Sequence, residues 1–176
     1  MRASLSAVAA LAAFLAAPAW GADTLRVGKG NPTSFSFIGA HVCVESGICA
    51  KHGLTLDISG FAGATRIHQA MAADQIDIGL ASGPDMVFIA KGSPVKAVAK
   101  MAGAPLSLAI GVRPDGGIKS VADLKGKIVS VSTLGSLTYW LTHEVAVREG
   151  WGHDGIRTAE LGTEAAQVSA LKSKQV

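Results

Sequence analysis

Residues 132–136, Ser-Thr-Leu-Gly-Ser, set three hydroxyls around a glycine, directly after the apolar run 128–131 and directly before a helix-like stretch. Small and hydroxyl residues between the carboxyl end of a strand and a helix start offer free backbone N–H groups and side-chain O–H groups. Such a place binds a small polar or anionic molecule. Asn31-Pro32-Thr33-Ser34, Gly60-Phe61-Ala62-Gly63 and Ser82-Gly83 have a similar make-up. A hydroxyl just before a helix also serves as an N-cap, so the weight rests on the collection of loops and not on any one member. Arg66 reads as a solvated helix residue, and Phe35 and Phe37 as core packing.

Bond-making chemistry finds no comparable pattern. His41, His52, His68, His143 and His153 lack metal-ligand spacing of the HxxxH kind and read as surface or capped histidines. The chain contains no GxSxG elbow, Walker loop or CxxC pair, and Gly28-Lys29-Gly30 lacks the third glycine of a dinucleotide fingerprint. No catalytic residue, metal ligand or cofactor is therefore assigned. The formal charge of +3 is spread along 176 residues without the Lys/Arg cluster that nucleic acid requires.

The elements that must position these loops alternate between strand and helix, the pattern of an α/β fold with a mainly parallel sheet. Strands are expected over 24–28, 55–58, 76–80, 95–100, 106–112 and 128–131, with another beginning at Ile156. Helices are expected over 35–45, after Gly63 with Ala64, Ile67, Ala70 and Met71 on one face, from Pro84-Asp85 to Ala90, and after Ser136. A last helix carries Ala165, Val168 and Leu171. The order strand, small-residue loop, helix, Gly turn, strand occurs twice, which suggests two βαβ units facing each other across a cleft at the carboxyl ends of their strands.

The ordered motifs resemble bacterial ABC-transporter substrate-binding proteins of the nitrate, sulfonate, taurine and thiamine-precursor type. Residues 118–136, IKSVADLKGKIVSVSTLGS, are similar to that family's SxxDLKGKxVxV element. Leu25-Arg26-Val27-Gly28 resembles its first strand, Lys51-His52-Gly53-Leu54 its "keGL" turn, AMAADQIDIGL its "iDi" segment and Gly92-Ser93-Pro94-Val95 its "g.pv" turn. The resemblance implies a type II periplasmic-binding-protein-like fold, with a nearly complete first lobe over 22–104 and a truncated second lobe over 105–176, since such proteins continue for roughly as long again. It implies a monomeric, non-enzymatic carrier that closes on a small solute and delivers it to an ABC permease in the inner membrane. The binding role falls on Asn31, Thr33, Ser34, Ser82, Thr133 and Ser136, whereas Asp77 is structural. Two alternatives accompany this reading. One is an enzyme of the same fold that forms a pyrimidine with pyridoxal phosphate and iron, for which the required Cys-rich motif is missing; the other is a truncated fragment that binds nothing.

Residues 1–21 have the layout of a secretory signal peptide: Arg2, an apolar run over 5–17, then Ala19, Gly21 and Ala22, with cleavage after Gly21 or Ala22. The run is shorter than the ~20 residues that span a bilayer, so a periplasmic product is expected. Cys43 and Cys49 on one continuous helix would lie ~9 Å apart along the axis, too far for a bond needing Cα atoms within ~7 Å. Two buried thiols are the expected state, unless Gly47 ends the helix and brings them closer.

Overall fold

The computed structural model describes residues 22–101, 103 and 108–176, so the signal-peptide segment expected over 1–21 lies outside the described residues. Strand β1 (Asp23–Lys29) is flanked by β2 (Leu54–Gly60) and β3 (Ile78–Leu80) in a parallel sheet of order β2-β1-β3. Parallel strands need a crossover, and helices supply it on each side. Between β1 and β2 run a 3-10 turn (Phe35–Phe37), α1 (Ile38–Glu45) and α2 (Ile48–Lys51); between β2 and β3 runs α3 (Ala64–Ala72). Val27 is buried in the central strand, while Ile67 and Ala70 of α3 pack on Ile76 with Phe61, Met71 and Ala81 around them.

Cys43 and Cys49 form a disulfide, with Cα atoms 5.2 Å apart, in place of the two free thiols expected. Gly47 is the reason. Its φ of 71° ends α1 and starts α2 at a new angle, so the six-residue separation no longer runs along one helix axis.

Asp77 is tied to β1. Its carboxylate accepts from the backbone N–H of Arg26 at 2.8 Å and from the guanidinium at 2.6 and 3.0 Å. The Arg26 side-chain hydrogen bonds, helped by that backbone N–H, hold the carboxyl at about 2, below its ordinary 3.8. A carboxyl depressed by folding adds stability above its unfolded value, and that stability fades as pH falls through the folded value. Melting temperature should therefore drop between pH 3.8 and about 2. Asp77→Asn should flatten that part of the pH profile; an unchanged slope would show that the pair does not contribute.

The second sheet pairs β4 (Ile128–Val131) with β5 (Arg157–Glu160), again parallel. Crossover helix α5 (Leu137–Arg148) connects them, and α6 (Glu164–Lys172) follows β5. Leu124, Ala146 and Ile156 form its core with Ile118, Val129, Val145 and Trp151. The turn Val121–Leu124 is held at its start by the Asp123 carboxylate, which accepts from the backbone N–H groups of Ser120 at 2.8 Å and Lys119 at 2.9 Å and from the Ser120 hydroxyl at 2.9 Å. A short helix, α4 (Asp85–Ala90), packs on α3 in the first unit.

Two expected strands are not formed. Residues 95–100 have no regular secondary structure and no ladder partner, and Val98 is 88% exposed. Of 106–112, residues 106 and 107 lie outside the described residues and 108–112 pair with no strand. A strand exists only where a neighbour takes up its backbone N–H and C=O groups, and none lies beside these segments among the described residues. The expected helix over 35–45 also opens as a 3-10 turn before α1 begins.

Candidate functional site

The carboxyl ends of the two sheets meet at a seam. Lys29 closes β1, and residues 30–34 loop from there across to the second unit. Asn31 Nδ2 donates to Glu164 Oε1 at 2.9 Å and Thr33 Oγ1 donates to Glu164 Oε2 at 2.8 Å. Asn31 Oδ1 accepts from the Thr33 backbone N–H at 3.0 Å, which presents both side chains to the same carboxylate. Glu164 stands in the first turn of α6, where a negative charge suits the helix dipole.

A second contact joins the start of α3 and the loop before it to the loop after β4. Thr65 Oγ1 donates to the Leu134 carbonyl at 2.8 Å. Gly63, at φ 102° and ψ 164°, lies so near Thr133 that a Cβ built on it would fall inside van der Waals contact of Oγ1 and 2.9 Å from Cγ2. Thr133 is only 4% exposed, and its hydroxyl has no hydrogen-bond partner among the described residues. A buried hydroxyl without a partner costs about 1–3 kcal/mol, so this atom is a vacant donor and acceptor inside the seam.

The six expected binding residues are thus placed differently from one another. Asn31 and Thr33 face the second unit, and Thr133 faces the first. Ser34 and Ser136 are N-caps, accepting from the N–H groups of Ser36 and Tyr139 at 3.3 Å each. Ser136 Oγ also pairs with Thr138 Oγ1 at 3.0 Å. Ser82 gives its N–H and its hydroxyl, the latter at 3.2 Å, to Asp85 Oδ2. Asp85 in turn accepts from His68 Nε2 at 2.9 Å, and His68 stacks on Phe88. The carboxylate stands between serine and histidine, so the imidazole is not positioned to take the serine proton; a nucleophile requires hydroxyl and base in direct contact.

Two neighbours of the seam escaped the sequence reading. Glu164, in the first turn of α6, belongs to none of the motifs read from the sequence. Lys29 is 8% exposed at the end of β1, donating to the Pro32 carbonyl at 2.8 Å and contacting His41 Nε2 at 2.7 Å. Neither partner is a carboxylate, and no carboxylate pairs with Lys29 among the described residues. The signal was available as a charged residue ending an apolar strand. A separate hollow of about 590 Å³ lies on the second unit, between residues 108–113, β4, α5 and α6. Its walls, including Ile110, Val129, Leu141 and Leu171, are mainly apolar, with Arg113, Lys127 and Arg148 also lining it.

A parallel α/β pair whose strand ends meet at a hydroxyl-bearing seam matches one family model, NMT1/THI5 like, over residues 34–175. The chain belongs to the NMT1/THI5-like family. Among solved structures, 28 chains are similar. A protein of Bordetella bronchiseptica RB50 is 22% identical with a TM-score of 0.68, over 87% of this chain and 49% of its own. The alkanesulfonate-binding protein SsuA from Xanthomonas axonopodis pv. citri, bound to MOPS, is 21% identical with a TM-score of 0.59, over 87% of this chain and 52% of its own. The periplasmic aliphatic sulphonate binding protein SsuA from Escherichia coli is 20% identical with a TM-score of 0.50, over 88% of this chain and 52% of its own. A search of the curated proteins finds no match. This NMT1/THI5-like chain therefore spans about half the length of the structures it resembles and shares with them the α/β fold of half a periplasmic binding protein.

Proposed function

We propose that this chain is the solute-binding part of an ABC importer, holding a small anion of the sulfonate class between two lobes, 22–104 and 105–176, for a membrane permease. The observation that carries the reading is the buried, partnerless Thr133 hydroxyl at the seam between the two strand-end edges. The nearby donors favour an anion: Asn31 Nδ2 and Thr33 Oγ1 already hold a carboxylate, and the buried Lys29 ammonium has no carboxylate partner among the described residues. The sulfonate-binding names of two solved relatives point to the same class. In this proposal Thr133, Asn31 and Thr33 contact the solute, while Ser34, Ser82 and Ser136 shape the loops that present it. A solute bridging both lobes stabilises the closed arrangement by its greater affinity for it. An exported, periplasmic location and a binding rather than catalytic role complete the proposal.

Titration with taurine, ethanesulfonate and nitrate, followed by Trp fluorescence and melting temperature, tests it. A true ligand at a hundredfold excess over its Kd adds about 2.7 kcal/mol of stability; no shift with any of the three would overturn the assignment. Glu164 occupies the donors that the anion needs and repels it. Glu164→Ala should therefore tighten sulfonate binding about fivefold, equivalent to about 1 kcal/mol for an exposed charge-assisted contact released. Weaker binding in that variant would place the anion elsewhere.

A further inference from the structure

The two units are built in the same order as far as α6. In the first, β1 leads through α1 and α2 to β2 on one edge, and α3 then returns the chain so that β3 pairs with the other edge. In the second, β4 leads through α5 to β5 and α6 follows, but the place equivalent to β3 holds no strand among the described residues. The ladder shows which backbone groups face that place. The Lys127 and Val131 carbonyls accept from the N–H groups of Arg157 and Leu161 at 2.9 and 3.0 Å. Alternate residues of a strand direct their backbone groups to opposite edges. Ile128 and Ser130 therefore turn theirs away from β5, and no strand pairs with them there among the described residues.

The hollow of about 590 Å³ lies along this free edge. Residues 127–130 line it without a break, whereas a space over one face of a strand would meet only every second residue. Val129 packs with Val145 against Ala146 of α5, and the Ser130 hydroxyl donates to Gln167 Oε1 of α6 at 3.5 Å. Neighbouring residues of a strand point to opposite faces, so α5 covers one face and α6 the other. Leu141 and Val145 form one wall of the hollow, Val168 and Leu171 the opposite one, and residues 108–113 a third. Apolar walls on both faces, with a row of open backbone groups along one side, are the surroundings of a buried parallel strand.

We propose that the free edge of β4 docks a short apolar β-strand that runs parallel to β4 and fills the hollow as the counterpart of β3. The first unit shows what fits: β3 pairs with Val27, Gly28 and Lys29 of β1, and Ile76 just before it packs on Ile67 and Ala70 of α3. A strand added to an open edge gains affinity from main-chain hydrogen bonds and selectivity from side-chain pockets. The strand belongs to polypeptide equivalent to the part of the solved relatives outside the match, which is about half of each of them. Docking here does not depend on which solute the seam holds.

The probe is a synthetic peptide of residues 75–81, Gln-Ile-Asp-Ile-Gly-Leu-Ala, labelled with fluorescein and titrated with the whole protein. The expected result is a saturable rise in fluorescence polarisation, absent for the same peptide with Leu80→Pro, which lacks a ladder N–H. Saturating peptide should slow amide exchange at Ile128 and Ser130 about tenfold or more, while Val129 and Val131, turned to β5, change little. Val168→Asp, at an exposed position on the apolar wall, should weaken the peptide about fivefold or more. Val87→Asp, exposed on α4, should leave it unchanged. A flat titration to about 0.5 mM protein, or binding that survives Val168→Asp and leaves both amides unprotected, would overturn the proposal. A dimer of the free chain in which the same two amides already exchange slowly would assign the edge to a second copy and overturn it as well.

Discussion

Thr133→Val should weaken sulfonate binding at least tenfold while raising the melting temperature of the ligand-free protein. The two effects have one cause. In the free chain the Thr133 hydroxyl is buried with nothing to bond, and replacing it by a methyl of similar size removes that penalty. A gain of about 1 kcal/mol is expected, which in a chain of this size moves the melting temperature by roughly 2–4 °C. In the proposed complex the same hydroxyl would donate to a charged oxygen, a bond worth about 1.5–3 kcal/mol, or about 10- to 150-fold in Kd. Fluorescence titration and thermal melts on one pair of proteins read both quantities. A stability gain with unchanged affinity would make Thr133 a packing residue and remove the main support for a solute at the seam.

Gly63→Ala should destabilise the protein by about 2–6 kcal/mol, the larger of the expected stability effects. Backbone geometry at φ 102° and ψ 164° is open to glycine almost alone, and holding another residue there costs about 1–3 kcal/mol. The new methyl would also drive into Thr133 Oγ1 and Cγ2, and overpacking of this kind costs about 1–3 kcal/mol more. The steric part is relieved by trimming the other side, so Thr133→Ala added to Gly63→Ala should recover a portion of the loss. Denaturant melts of the two single variants and the double variant measure that coupling. Strict additivity would mean that the loops before α3 and after β4 do not touch in solution.

Both variants act on a contact between residues seventy positions apart, and that distance marks the division between what was legible in the chain and what was not. The strand at Ile128–Val131 was readable to the residue, because an apolar run bounded by Lys127 and a hydroxyl loop is a local pattern. The buried stripe of α3, with Ala64, Ile67 and Ala70, follows from helical spacing in the same way. The ordered motifs identified the family, and residues 34–175 match it. The apolar segments 95–100 and 108–112 carried the same local signal yet form no strand, since a ladder needs a partner that local sequence does not specify.

The site divides along the same line. Hydroxyl loops at the carboxyl ends of strands could be named from composition, because small polar residues between an apolar run and a helix start are a local pattern. Which hydroxyls became caps and which turned to the opposite unit was settled by neighbours: Ser34 and Ser136 found N–H groups two and three residues ahead, whereas Thr133 met Gly63 across the seam. Gly47 turned two cysteines judged too distant into a bonded pair. Glu164 reached Asn31 and Thr33, and His143 reached His153, only once the chain had folded back. Sequence by itself determined the alternating elements and the family, because short-range periodicity encodes burial. Tertiary structure alone decided every partnership between polar atoms, because a hydrogen bond or a ligand set depends on what lies within about 3 Å in space, whatever the separation along the chain.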